Sequence, residues 1–339
     1  MNKPRVCIIN IYFGPLPEWV NMWFSSASWN KNIDFLFVTD QEVDFKVNNI
    51  KIIKMTYDDF KKLAAKKLGQ KIKLDDPHKL CDYKMVWPKI FDDETKEYDF
   101  CGECDVDVIF GDLDKFLQEY ELDKYDKFGS RGHLTIYRNN EEVMNRYKLN
   151  GGWFGTYKEI FKSNYLWAFD ETPGMNAIYE KHGFPAMNKK IFADIDVNYK
   201  DLRLVEFEDA TYSNYPCQLF YWNKGKVLRD YIDNGKVKTD EFMYIHLQKR
   251  EMFKADFDPF TCANYLITNG RFIENNSCDT IEKKISLYNK REEAIRLPKR
   301  FGGKYKKNLK FYWIGRRVIN IWFDSKRVLK RIIKKVKGV

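Results

Sequence analysis

Residues 98–112 read YDFCGECDVDVIFGD, and the rest of the chain is arranged around them. Two apolar runs flank Asp105 and Asp107, which are separated by one valine. Side chains at positions i and i+2 of an extended chain point to the same side, so both carboxylates can reach one point. Such oxygen pairs suit a hard divalent cation, which is often shared with substrate phosphates. The spacing therefore predicts a site for a metal-bound nucleoside diphosphate; two solvated acids at a strand end are the alternative.

The composition indicates a packed globular protein. The 339 residues are 44% hydrophobic and 17% aromatic, enough for one large domain or two small ones. The net charge of +10 arises near the end, because residues 299–339 hold 15 of the 59 basic residues and one of the 49 acidic ones. The remaining chain is slightly acidic, which argues against a nucleic-acid groove and for a basic attachment segment.

The cysteines and the hydropathy indicate the compartment. Seven cysteines without framework spacing favour a reducing environment. Cys101 and Cys104 form a CxxC pair that lacks a second pair, so packed strand thiols are favoured over a zinc or redox site. The first apolar run is too short for a secretory leader, and no window approaches the roughly 20 apolar residues of a spanning helix. We therefore expect a cytoplasmic protein that is soluble or peripheral.

The first part of the chain alternates predicted strands and helices. Strands are predicted at residues 6–13, 33–40 and 50–54, and helices at 17–29 and 57–68. This alternation is typical of a parallel sheet with helices on both faces. Ligands bind beyond the carboxyl ends of such strands. Phe13 and Asp40 follow the first two strands and are therefore expected near the Asp105 turn, although Asp40 equally suits a turn cap.

A helix predicted over residues 78–91 carries Asp82 and Lys84. Lys84 falls on the apolar stripe of this helix, where a purely structural face rarely has a lysine. We expect both side chains to face the nucleotide site; exposure of both to solvent is the alternative.

Three acids are candidates for a catalytic base. Asp170 and Glu171 follow an aromatic run, and Asp194 belongs to a further acid-rich stretch. A carboxylate in a site can take a proton from an acceptor hydroxyl. Asp170 equally suits a helix N-cap.

A glycine-rich turn at residues 150–155 carries two aromatic residues whose faces suit sugar rings, although they also suit a core.

His246 lies in the last predicted strand, residues 242–250, and is followed by Lys249 and Arg250. Taken alone, a histidine in an apolar run is a core residue. Beside an acid pair, a neutral imidazole can complete a metal site, and Lys249 or Arg250 can balance phosphate charge.

The tail at residues 299–339 is strongly basic, and from Arg316 onward its apolar residues repeat at helical spacing. This pattern predicts a basic amphipathic helix that attaches to an anionic membrane surface. Docking of the helix on its own domain or on a partner is the alternative.

These segments, in this order, resemble bacterial glycosyltransferases of the GT-A fold, in particular a capsule and O-antigen polysaccharide-biosynthesis family. The resemblance spans most of residues 5–250. It implies an α/β, GT-A-like nucleotide-diphospho-sugar transferase fold with a mostly parallel central sheet, flanking helices and a C-terminal basic amphipathic helix. The implied catalytic domain covers residues 1–298, with a donor half at about 1–115 and an acceptor half at about 116–298, and the tail covers 299–339.

The resemblance also implies that Asp105, Asp107 and His246 bind Mn²⁺ (or Mg²⁺) on a UDP-sugar, with Lys249 or Arg250 near the pyrophosphate. The implied enzyme, of hexosyltransferase type, moves the sugar to a lipid-linked, undecaprenyl-type glycan at the inner face of the bacterial cytoplasmic membrane. A metal-dependent phosphoryl or nucleotidyl transferase and a non-enzymatic, membrane-associated glycan-binding protein are alternative functions. Of these functions, only the glycan-binding protein does not require Asp105, Asp107 and His246 to lie close together.

Overall fold

The computed structural model describes residues 3–248, 250–277 and 279–288. Within them the strands are β1 (Val6–Tyr12), β2 (Ile33–Thr39), β3 (Ile50–Lys54), β4 (Phe100–Cys104), β5 (Val108–Phe110), β6 (Lys127–Arg131), β7 (Leu134–Arg138), β8 (Ala186–Met187), β9 (Ala193–Asp194), β10 (Gln218–Asn223), β11 (Lys226–Asp233), β12 (Lys236–Phe242), β13 (Tyr244–His246), β14 (Asn264–Thr268) and β15 (Arg271–Glu274). The α-helices are α1 (Val20–Ser28), α2 (Tyr57–Leu68), α3 (Trp87–Ile90), α4 (Asp92–Thr95), α5 (Leu113–Glu119), α6 (Glu141–Asn145), α7 (Tyr157–Phe161), α8 (Ala177–His182) and α9 (Ile281–Tyr288). Shorter-pitch 3₁₀ segments span Pro77–Val86, Leu122–Lys124 and Arg146–Lys148, and a π-helical segment spans Thr172–Asn176.

The central sheet has the strand order β3-β2-β1-β4-β7-β6-β8. The strands from β3 to β4 are parallel, β7 is antiparallel to both β4 and β6, and β8 is parallel to β6. Strand β1 is an almost continuous apolar run with six buried residues, as expected for a strand covered on both faces. The mixed α/β class with a mostly parallel central sheet is confirmed.

A small sheet of order β5-β13-β9 lies beyond the end of β4. Strand β13 is antiparallel to β5, with His246 opposite Val108, and parallel to β9, with His246 opposite Asp194. Three residues separate the end of β4 at Cys104 from the start of β5 at Val108, so the Asp105 turn is held between the central sheet and the small sheet.

The third sheet is antiparallel, with the order β12-β11-β10-β14-β15. The polar, glycine-containing turn within residues 218–228 predicts a β-hairpin, and strands β10 and β11 form it. Trp222 stacks on Tyr265 with ring centroids 5.2 Å apart, and its indole N–H donates to the carbonyl of Phe110 at 2.9 Å. This bond joins the third sheet to β5, and so to the strand that follows the acid pair.

The segment predicted to be helical over residues 78–91 is helical, but it is not one continuous α-helix. The structure has a 3₁₀ segment over Pro77–Val86 and a separate short helix, α3. Pro88 has no backbone N–H and its ring clashes with the preceding turn, so one α-helix cannot run through it. The domain boundary predicted at residue 298 and the basic tail both lie outside the described residues.

Candidate metal and donor site

Asp105 and Asp107 lie on the turn between β4 and β5, and His246 ends β13. The register that sets His246 opposite Val108 brings the imidazole next to Asp107, and the N–H of Leu247 donates to the Asp107 carbonyl at 2.8 Å. Nε2 of His246 is 3.4 Å from Oδ1 of Asp107. One ligand atom from each of the three residues lies within 4.8 Å of the other two. The structure therefore brings the three predicted metal ligands together.

Asp194 orients His246 from the other side of β13. Nδ1–H of His246 donates to Oδ1 of Asp194 at 2.8 Å, and the side-chain amide of Gln248 donates to the same oxygen at 2.6 Å. Burial acts to lower the pKa of His246, but the carboxylates of Asp107 and Asp194 outweigh it and raise that pKa to about 10. The bond at Nδ1 leaves Nε2 on the side of the acid pair. In the structure Asp194 supports His246, and its role as a catalytic base stays a prediction.

The donor set fits a hard divalent cation. Two carboxylates and one imidazole are ligands that Mn²⁺ and Mg²⁺ accept, and such ions complete their coordination with water and substrate phosphates. A carboxylate behind the imidazole is the usual support of a metal-ligating histidine, and Asp194 supplies it. The proton that the two carboxylates hold on His246 would be exchanged for the cation at Nε2.

Lys84 is a buried cation beside this group. Its Nζ lies 2.6 Å from Oδ1 of Asp105 and 3.4 Å from Oδ2 of Asp170, and it also donates to the carbonyl of Gly132. Burial disfavours the charged ammonium, but the two carboxylates hold the pKa of Lys84 well above its usual value. Lys84 therefore stays protonated, offsets part of the local negative charge and orients one oxygen of Asp105.

Asp170 and Glu171 lie next to this ion pair. The Asp170 side chain is 5% exposed, and burial raises its pKa to about 8 against the opposing effect of Lys84. The Glu171 side chain is 36% exposed, and its Oε2 is 3.7 Å from Nη1 of Arg131. Gly132 leaves room for Asp170, because a Cβ there would lie 2.0 Å from Oδ2 of that acid. Of the two acids, Glu171 is the one open to a bound acceptor.

Asp82 is fully buried. Its carboxylate accepts hydrogen bonds from the ammonium of Lys79 at 2.6 Å and from the backbone N–H groups of Trp167 and Phe169, each at 2.9 Å. A buried carboxylate is stable only with partners of this kind. In the structure Asp82 anchors the loop that leads to Asp170, and its contact with the nucleotide stays a prediction.

Arg250 also has structural contacts. Its guanidinium donates to the backbone carbonyls of Asp196, Tyr199 and Lys200 at 2.8–2.9 Å, and so holds the loop that follows β9. The pyrophosphate contact predicted for Arg250 stays a prediction beside this loop-holding role. Lys249, the alternative cation, lies outside the described residues.

Phe13 and Asp40 lie at the ends of β1 and β2, as predicted. The ring of Phe13 is buried against Tyr57 and Phe60, with centroids 5.1 and 5.5 Å apart. Asp40 accepts a hydrogen bond from the N–H of Gly14 at 3.0 Å. Burial opposes ionisation of Asp40, but hydrogen bonds from its neighbours lower its pKa. The Phe13 side chain is therefore part of the core, and Asp40 holds the loop that follows β1. A contact of either residue with the nucleotide stays a prediction.

Three neighbours of the site had no predicted role: Tyr12, His133 and Gln248. The imidazole of His133 stacks on His246 with ring centroids 4.2 Å apart, and burial lowers its pKa well below the usual value. Tyr12 ends β1, and burial together with the charge of Asp107 raises the pKa of its phenol. In the sequence, the glycine-histidine pair at residues 132–133 is the pattern that could have indicated His133. Tyr12 and Gln248 reach the site through pairing between distant segments, which no local pattern shows.

Comparison with solved structures gives similarity to several glycosyltransferases. They include GlyE of Streptococcus pneumoniae TIGR4 (9% identity, TM-score 0.34, 56% of this chain and 46% of that chain) and the galactosyltransferase LgtC (10%, 0.32, 56% and 75%). Mouse xyloside xylosyltransferase 1 is another (9%, 0.33, 57% and 88%). The chain spans about half the length of GlyE. None of the curated proteins matches the chain.

A family profile matches a much larger part of the sequence. It covers residues 8–276, from the first strand to the end of the third sheet, and includes each of the residues that form the candidate site. The chain therefore belongs to DUF6625, a family of unknown function.

Proposed function

We propose that the protein is a metal-dependent glycosyltransferase that moves a sugar from a UDP-sugar to a hydroxyl group of a glycan. The observation that carries the proposal is the convergence of Asp105, Asp107 and His246, whose ligand atoms lie within 4.8 Å of one another. When bound there, Mn²⁺ or Mg²⁺ would neutralise the charge that develops on the departing diphosphate. A non-enzymatic glycan-binding protein would have no use for this arrangement.

The chain's own residues prepare this site in three ways. Asp194 fixes the tautomer and orientation of His246 by accepting its Nδ1–H. Lys84 holds Asp105 in place through an ion pair and offsets part of the local negative charge. Leu247 ties the strand end that carries His246 to the backbone of Asp107. The ligands are thus held before any substrate arrives, which lowers the cost of binding.

If the transfer inverts the anomeric configuration, a carboxylate must take the acceptor proton. Glu171 is the better placed of the predicted acids, because its side chain is 36% exposed while that of Asp170 is 5% exposed. The raised pKa of Asp170, about 8, leaves it protonated through most of the neutral range unless a ligand changes its surroundings. If the transfer retains the configuration, neither acid is needed as a base.

The test is donor turnover. UDP-, GDP- and dTDP-sugars are incubated with the full-length protein and Mn²⁺, and release of the nucleoside diphosphate is measured with and without EDTA. We expect a UDP-sugar to be hydrolysed or transferred, EDTA to abolish the reaction, and added Mn²⁺ to restore it. A folded protein that turns over no donor and binds no Mn²⁺ together with a nucleotide would contradict the proposal.

An aromatic cluster beside the candidate base is the proposed acceptor surface. Tyr165 is 59% and Trp153 is 39% exposed, and Trp167 lies between Tyr165 and Phe154 with ring centroids 6.0 and 5.6 Å away. The backbone of this segment is anchored, because Tyr165 O accepts from Lys79 at 2.5 Å and Asp82 accepts the N–H of Trp167. Rigid aromatic faces suit the apolar faces of sugar rings.

We expect Tyr165→Ala to raise the KM for the acceptor about tenfold, which corresponds to about 1.4 kcal/mol, because one stacking face is lost. The KM for the donor should change little. Phe253→Ala is the matched control, since Phe253 is 62% exposed and lies on another loop, next to Gly270. Equal effects of both substitutions on the acceptor KM would remove the cluster from the site.

Three further parts complete the proposal: a lipid-linked, undecaprenyl-type acceptor, a role in capsule or O-antigen synthesis, and attachment to the inner face of the membrane. They follow from the sequence resemblance and from the basic tail, which lies outside the described residues. In the described part of the chain, no helix combines the length and the apolar character needed to cross a bilayer.

A further inference from the structure

His133 is a buried histidine that contacts the candidate metal site without belonging to its ligand set. It follows Gly132 in the turn between β6 and β7 and is 4% exposed. Its Nδ1 lies 2.7 Å from the hydroxyl of Tyr244, and its ring meets that of Phe192 edge-on at 4.8 Å. Its ring also stacks on His246 at 4.2 Å with an interplanar angle of 22°.

The other ring nitrogen of His133 is buried and has no hydrogen-bond partner. It points toward Asp194, whose Oδ2 lies 3.9 Å away. The second oxygen of that carboxylate, Oδ1, already accepts from His246 and from Gln248. A small movement would therefore let His133 donate to Oδ2. A buried nitrogen left unpaired costs free energy, which favours this movement.

The charge of Asp194 decides the tautomer of His133. A carboxylate is an acceptor only, so a proton on Nε2 is attracted to it, whereas a lone pair there would be repelled. With the proton on Nε2, Nδ1 becomes an acceptor and the hydroxyl of Tyr244 donates to it at 2.7 Å. The chain of contacts then runs from Tyr244 through His133 and Asp194 to His246.

The geometry does not favour a second cation site formed by His133, Asp194 and His246, although their ligand atoms also lie within 4.8 Å of one another. The two imidazole rings are nearly parallel, so their in-plane lone pairs run side by side and do not converge on one point. In addition, Nδ1 of His246 already donates to Asp194 at 2.8 Å.

We infer that His133 is a positioning residue: it holds Asp194 through Nε2–H and supports the ring of His246, so that Nε2 of His246 stays aimed at the acid pair. The inference rests on the proposed function in so far as the acid pair binds a cation. Outer partners of this kind commonly change metal affinity by about 10- to 100-fold.

Two substitutions separate hydrogen bonding from packing. His133→Phe keeps a flat ring on His246 and removes the donor, whereas His133→Gln places an amide N–H near the position of Nε2 and removes the ring. We expect His133→Phe to weaken Mn²⁺ binding by about 10- to 100-fold and His133→Gln to stay within about threefold of the wild type. The measurement is a Mn²⁺ titration followed by electron paramagnetic resonance, with thermal unfolding to check the fold.

The opposite order, with His133→Phe close to the wild type and His133→Gln impaired, would assign His133 to packing and overturn the inference. Equal affinity in all three proteins would overturn it as well.

A second measurement needs no metal and so separates this inference from the proposed function. Two-dimensional ¹⁵N NMR of the histidine rings in the metal-free protein should show His133 protonated at Nε2, with its Nδ1 unprotonated. His133→Phe should shift the ring nitrogens of His246, and His133→Gln should leave them nearer their wild-type positions. A wild-type protein that binds no Mn²⁺ but gives these spectra would contradict the proposed function alone. A proton on Nδ1 of His133 would contradict the inference itself.

Discussion

Asp107→Ala should abolish metal-dependent turnover of the donor while leaving the protein folded. Asp107 supplies one of the two carboxylates of the group, and its Oδ1 is 3.4 Å from Nε2 of His246. Loss of outer-shell partners costs about 10- to 100-fold in metal affinity, so loss of a direct ligand should cost at least that much. Mn²⁺ affinity is measured by titration, donor turnover by release of nucleoside diphosphate, and the fold by thermal unfolding.

Asp112→Ala is the matched control, because Asp112 belongs to the same acidic run but caps α5 and does not join the cation group. Its Oδ1 accepts from the N–H of Lys115 at 3.0 Å. Removing this cap should cost about 1 kcal/mol of unfolding free energy and leave Mn²⁺ binding unchanged. If Asp107→Ala retained full Mn²⁺ affinity and turnover, the assignment of the metal site would be wrong.

Lys84→Met should lower the free energy of unfolding by about 3–5 kcal/mol, the usual cost of removing one partner of a buried ion pair. The Lys84 side chain is 3% exposed and lies between Asp105 and Asp170, at 2.6 and 3.4 Å. Without the ammonium, the Asp105 carboxylate loses its ion-pair partner, and the buried Asp170 can be accommodated only with a bound proton. Urea unfolding followed by circular dichroism measures the change.

Lys115→Met tests whether the burial of Lys84 is the reason for the large loss of stability expected in Lys84→Met. Lys115 forms an ion pair with Glu241 at the same distance, 2.6 Å, but its side chain is 41% exposed. This substitution should cost no more than about 1 kcal/mol. The double variant Lys84→Met/Asp170→Asn should recover part of the loss, because an amide, unlike Asp170, does not have to bind a proton on folding to stay neutral. Equal costs for the two single lysine variants would show that the buried cation contributes no more than a surface one.

The pH dependence of Lys84→Met follows from Asp170. The pKa of this acid is raised from 3.8 to about 8 by burial, so the folded protein keeps a proton that the unfolded chain releases. The resulting stability is full below 3.8 and is lost as pH rises through about 8. Lys84 acts to lower this pKa, so its removal extends the loss to higher pH. Unfolding measured from about pH 5 to about pH 9 should therefore show a longer decline in Lys84→Met than in Lys115→Met.

Lys84 and Asp82 show what a local sequence pattern predicts and what it leaves open. Both are polar residues in a largely apolar segment, and both were expected at the nucleotide. The structure buries both, but Lys84 contacts Asp105 while Asp82 contacts the backbone of Trp167 and Phe169. A polar residue in a buried segment predicts that a partner exists. Whether that partner is a ligand-binding residue or a loop depends on segments that lie far away in the chain.

Asp194 and His246 show the same limit for the candidate site. The two residues are 52 positions apart, and their hydrogen bond exists because β9 and β13 pair in one register. Read locally, Asp194 was one of several possible bases. In the structure it accepts the Nδ1–H of His246, and with His133 it forms a layer behind the proposed metal ligands that no spacing rule could indicate.

The sequence by itself determined the strand and helix alternation at the start of the chain, the hairpin at residues 218–228 and the position of Asp105 and Asp107 directly after a buried strand. These features depend on neighbours a few residues apart, where backbone geometry and side-chain periodicity suffice. Tertiary structure alone decided that Lys84 pairs with Asp105, that Asp194 supports His246 and that Asp82 and Arg250 hold loops. Those contacts depend on how β5, β9 and β13 align and on which groups become buried together, and both are settled by packing across the whole fold.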